Sequence, residues 1–75
     1  MEDREWIARF AAALGAPAPT DAEYEALLAL AGTAAHASAR TAAPVSCWVA
    51  GRAGVSVEEA RRVAETVTSE GRAAP

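Results

Sequence analysis

The chain has 75 residues, with seven basic and ten acidic side chains and a net charge of −3. Alanine supplies 22 of its apolar residues, leaving 17 side chains large enough to fill a core, enough for one domain over residues 1–75 and not for two. The acidic balance excludes the positive field that sequence-independent nucleic-acid binding needs, and no apolar run approaches the roughly 20 residues of a membrane span.

The first predicted element is a helix over about 3–14. Trp6, Ile7, Phe10 and Leu14 recur at helical steps and form one stripe. Glu2, Asp3 and Glu5 crowd its amino end, where the helix dipole favours negative charge. Gly15 is placed to cap it in the left-handed conformation, and Pro17 prevents continuation.

Thr20 and Glu23 have the spacing of a capping box and open a second helix over about 21–39. This is the longest apolar-periodic segment and is expected to be central. Tyr24, Leu27, Leu28, Ala31, Ala34, Ala35 and Ser38 share one arc, with Leu30 at its edge and His36 and Arg40 on the far side.

Pro44 suits the first turn of a third helix, over about 44–53. Val45, Trp48, Val49 and Arg52 share one of its faces, Ser46 and Ala50 the other. Ser56 and Glu59 form a second capping-box pattern before a fourth helix over about 57–70, with Gly71 as its stop. Its stripe is Ala60, Val63, Ala64 and Val67, and Glu58–Arg62 and Arg61–Glu65 are four-residue ion pairs of a solvated face. The last residues, 72–75, are expected to fray. The fold class that follows is all-α, a compact bundle of four short helices.

Alanine faces bury little area, so this bundle is expected to leave an apolar patch on its surface, centred on Trp6, Leu30 or Trp48, for a second chain or a neighbouring domain to cover.

Chemistry is sparse. His36 and Cys47 are each the only residue of their type; they form no cluster of about four ligands that a structural zinc needs, so no metal or cofactor is expected. A thiol beside Trp48 on a short helix reads as an inert part of the packing, and no nucleophile–base pair is evident, so the chain is not expected to be an enzyme. All seven cations are arginines, which offer planar forks to any anion. His36 and Arg40, one turn apart, with Arg52 converging from the third helix, form a candidate anion site; the plainer reading is a solvated cationic helix end. The segment from Gly51 to Gly54 lacks the Lys-Ser/Thr of a phosphate loop and reads as a turn between helices. Glutamates along the fourth helix carry the wrong sign for reading DNA.

One pattern is more individual. Glu5-Trp6-Ile7 through Leu14-Gly15, then Leu27-Leu28-Ala29-Leu30-Ala31, Ala35-His36, Arg40, Ala42-Ala43-Pro44 and the Gly51 to Gly54 segment resemble a family of small actinobacterial all-helical proteins classed as a domain of unknown function. Thr41 replaces a proline of that pattern, and Ser46-Cys47-Trp48 replaces a Thr-Thr-Phe-like run. Members of the family lie beside, or are fused to, a molybdenum-cofactor guanylyltransferase. The resemblance implies an accessory role in molybdopterin-guanine dinucleotide biosynthesis, with His36, Arg40 and Pro44 as the positions carried over. The leading expectation is a cytoplasmic, non-catalytic protein-interaction domain docking on a guanylyltransferase-type protein or on itself. The alternative is a small helical module binding an anion or nucleotide through His36, Arg40 and Arg52.

Overall fold

The computed structural model describes residues 1–73 and is an all-α bundle of four helices: α1 (Asp3–Leu14), α2 (Asp21–Ala37), α3 (Ala42–Ala53) and α4 (Val57–Ala73). Capping chemistry sets the ends. Gly15 adopts φ 73°; its N–H donates to the Ala12 carbonyl and the Ala16 N–H to the Ala11 carbonyl, the paired bonds of a Schellman turn. Thr20 and Glu23 complete a reciprocal capping box at α2: the Thr20 N–H donates to Glu23 Oε1 at 2.8 Å and the Glu23 N–H to Thr20 Oγ1 at 3.1 Å. Gly54, at φ 74°, ends α3.

Several boundaries depart from expectation. α2 stops at Ala37, because Ser38 leaves helical geometry (φ −135°, ψ −92°), so Arg40 lies in the connection and not one turn beyond His36 on a helix. α3 begins at Ala42, two residues before Pro44, because the N–H groups of Ala42 and Ala43 already bond back to the carbonyls of Ala39 and Arg40. α4 runs through Gly71: a glycine stops a helix by turning left-handed, and Gly71 has no positive φ. The helix also takes in residues 72 and 73, where fraying is expected from the sequence; the same expectation for residues 74 and 75 lies outside the described residues.

Only half of the second capping box forms. Ser56 Oγ accepts the Glu59 N–H at 3.1 Å, but the Glu59 carboxylate turns to Arg62, at 2.6 and 3.0 Å. Glu58 accordingly pairs with Arg61 and not with the expected Arg62, while Arg61 also reaches Glu65 at 2.9 Å.

α2 is the central rod. α3 and α4 each pack along it and scarcely touch one another. Its buried line is Ala26 and Leu30, and Leu30, only 3% exposed, is the best-buried side chain among the described residues. Its expected place at the edge of the arc, and as a surface anchor, is therefore corrected: two partners on α2 rotate its buried face between them and leave Leu28 outside.

The faces of α3 and α4 are turned in the same sense. On α3 the small residues Ala42, Ser46 and Ala50 face inward, whereas Val45, Trp48 and Val49 stay more than half exposed, the reverse of the expected face. On α4, Ala60 and Ala64 are half-buried while Val63 and Val67 are open. Alanine contacts let helix axes approach closely; bulky side chains at the same positions would hold them apart. Ser46 tolerates the contact face because its hydroxyl donates to the Ala43 carbonyl at 2.8 Å.

α1 joins the rest at the first turn of α2. Arg4 Nη1 and Nη2 donate to Asp21 and Glu25 at 3.0 and 2.9 Å, and the Tyr24 hydroxyl donates to Asp3 Oδ2 at 3.0 Å. A hydrogen bond with Glu2, that Tyr24 hydroxyl and the Arg4 N–H together hold the Asp3 carboxyl below its ordinary range; the same bond to Asp3 raises Tyr24. The domain measures 47 × 24 × 18 Å, well beyond the roughly 25 Å length of a 17-residue helix.

Candidate functional site

Because α3 and α4 are spaced apart on α2, an open groove of about 640 Å³ runs between them. Leu30 lies on its floor; Val49 and Ala53 form one wall and Val63 and Val67 the other. Glu59 is the one charged side chain in its lining, and its hydrogen bond to Arg62 holds its carboxyl below the ordinary range. The groove therefore offers apolar contact and little chemistry.

Two further apolar surfaces lie elsewhere on the domain. On the outer side of α3, Trp48 is 64% exposed beside Val45, and the Arg52 guanidinium lies 5.6 Å from the indole centroid. On α1, Trp6 and Phe10 stack with centroids 5.1 Å apart, both about half exposed, and Leu14 continues the row. Trp6 and Trp48 are thus surface side chains, and Leu30 is not.

The candidate anion residues are dispersed. His36 lines a second, smaller cleft of about 390 Å³ between α2 and α4, opposite Glu65 and beside Thr68 and Ser69. Arg40 stands exposed in the α2–α3 connection, and Arg52 is occupied with Trp48. Neither cavity is lined by Arg40 or Arg52, and the one that His36 enters presents a carboxylate, which opposes an anion. Cys47 is a half-buried free thiol. Among the described residues, no three His, Cys, Asp or Glu side chains are grouped to hold a metal ion, and no helix is long and apolar enough to cross a membrane.

Sequence reasoning missed the groove and the exposure of Phe10 and Leu14 in a row with Trp6. Periodicity marks an apolar stripe without saying which neighbour covers it. A usable signal was the segregation of α3 into a small-residue face and a bulky face, since an alanine-lined bundle packs through the small one.

The fold and its surface define the class: a small all-α domain, built around one central helix, with an apolar groove left open along it. A family model described as a domain of unknown function, DUF6457, matches residues 2–74, and the chain belongs to that family. No curated protein and no solved structure matches the chain.

Proposed function

We propose that this is a non-catalytic accessory domain of the actinobacterial cytoplasm that serves molybdopterin-guanine dinucleotide biosynthesis by docking on a guanylyltransferase-type protein. The link to that pathway rests on the family resemblance of the Glu5–Gly15, Leu27–Ala31 and Ala35–Pro44 stretches. The observation that carries the docking role is Trp48, 64% exposed on the outer face of α3 with the Arg52 guanidinium beside its ring. Tryptophan and arginine dominate the energetic centres of protein interfaces, and an indole this open in a domain with so small a core is a ready anchor. The non-catalytic reading is supported by the groove's lining, whose one carboxylate is already paired.

The experiment is calorimetric titration of the domain into a molybdenum-cofactor guanylyltransferase-type protein. Binding is expected, and Trp48→Ala or Arg52→Ala is expected to weaken it at least tenfold with the helical circular dichroism unchanged. No heat with the wild-type domain refutes the reading. A second reading, an anion-binding module, draws on residues 26–57, which carry His36, Arg40 and Arg52 and no carboxylate. Amide shifts confined to those three residues on adding a guanine nucleotide would replace the first reading with the second.

A further inference from the structure

We infer that α1 is a latched arm: it leaves the head of α2 and returns while α2, α3 and α4 stay packed, and its ion pairs set how often. The sequence of α1 supplies what it needs as a helix. Glu2 accepts the Arg4 N–H at its start, Glu5 pairs with Arg9 at 3.0 Å along its side, and Gly15 closes its end. None of these bonds reaches another helix.

Packing does not hold it. No Cα of α1 comes within 8 Å of a Cα in α2, α3 or α4, whereas α3 and α4 both approach α2 that closely. Packed helix axes lie about 8–10 Å apart, which brings facing Cα atoms inside that limit. The one buried side chain of α1 is Ala11, which has little surface to hide. The body does not depend on the arm either. Leu30, its best-buried residue, lies about 14 Å along α2 from Asp21.

What holds α1 is polar and gathered at one end. Asp3 and Arg4 make every hydrogen bond and ion pair between α1 and α2 among the described residues. Arg4 donates to Asp21 at 3.0 Å and to Glu25 at 2.9 Å, and Asp3 accepts from the Tyr24 hydroxyl at 3.0 Å. The Asp21 and Glu25 side chains are 99% and 71% exposed, so both ion pairs are weak and screened by salt. At the other end, Pro17, Ala18 and Pro19 make no hydrogen bond to either helix among the described residues, so the chain alone joins them there. Release leaves Asp21 and Glu25 unpaired. The position of the arm is therefore set by competition between Arg4 and other cations for those two carboxylates, and a 12-residue helix set free is marginal and loosens.

Neither Trp48 nor Arg52 takes part, so this arm stands or falls separately from the docking proposed above. The test is residual dipolar couplings and amide exchange on the full chain. The α1 couplings are expected to be scaled down relative to those of α2–α4, and α1 amides to exchange well before those around Leu30. Arg4→Ala is expected to raise the released fraction about fivefold, and Tyr24→Phe about twofold, with α2–α4 shifts unchanged. Sodium chloride at about 1 M, where the screening length falls to about 3 Å, is expected to raise it in the wild type and not in Arg4→Ala. One alignment tensor that fits all four helices at every salt concentration overturns the inference. So do α1 amides that exchange only with those of α2, or an Arg4→Ala variant whose α1 couplings match the wild type.

Discussion

The Arg4 guanidinium lies 4.1 Å from the centroid of the Tyr24 ring while bonding to both Asp21 and Glu25, so one side chain makes three contacts from α1 to the head of α2, beside the Tyr24–Asp3 hydrogen bond. Its two ion pairs are exposed and individually weak, and the cation–π contact adds a comparable amount. Arg4→Ala is expected to cost about 1 kcal/mol, with amide exchange accelerating in α1 and not in α4. Equal acceleration in both helices would mean that Arg4 is no local fastening.

The same junction titrates from both sides. Asp3 has a depressed value in the folded chain, through Glu2, Tyr24 and the Arg4 N–H. Its contribution is therefore complete above the ordinary carboxylate range and vanishes as pH falls through the lowered value. Tyr24 is raised by its bond to Asp3, so its contribution is complete below the ordinary value of 10.0 and vanishes as pH climbs through the raised one. Trp6 fluorescence in a Trp48→Phe background is expected to stay level between these limits and change beyond each. Tyr24→Phe is expected to abolish the alkaline change and to diminish the acid one, because the Tyr24 hydroxyl is one of the bonds that lower Asp3.

Leu30 has no substitute in so small a core. Among the described residues only Ala11, Ala26 and Leu30 are buried, and Leu30→Ala removes the one large side chain of the three. The expected cost is about 3 kcal/mol, read from urea unfolding. Leu28→Ala, at a position 57% exposed, is expected to cost much less.

Glycines of opposite roles give opposite signs. Gly54 turns the chain at φ 74°, so Gly54→Ala is expected to destabilise by about 1 kcal/mol. Gly32 sits inside α2 with no positive φ and nothing within 4 Å of where a Cβ would be, so Gly32→Ala is expected to stabilise by about 0.5–1 kcal/mol. Thermal melts of the two variants decide the matter.

The helices were legible because their signals are local. Thr20 with Glu23, Gly15 before Pro17, and Gly54 before Ser56 act over one or two turns, and each marks a real helix end. The outer limits of α2, α3 and α4 were less so. There, backbone bonds at Ser38 and Ala42 and the helical tolerance of Gly71 outweighed residue preference. For the candidate site, the exposure of Trp6 and Trp48 could be anticipated from an excess of apolar surface over alanine-rich packing. The arrangement of His36, Arg40 and Arg52 could not, since it depended on where α2 stopped and how α3 was turned.

Composition and spacing by themselves determined that this chain is helical, acidic and poor in bulky core, because those properties belong to each segment alone. Only the tertiary structure decided that Leu30 is buried, that the bulky face of α3 turns outward, and that a groove lies open between Val49 and Val67. A helix with apolar residues on more than one side can bury either. The choice falls to the face that lets two axes come closest, and that is a property of the pair.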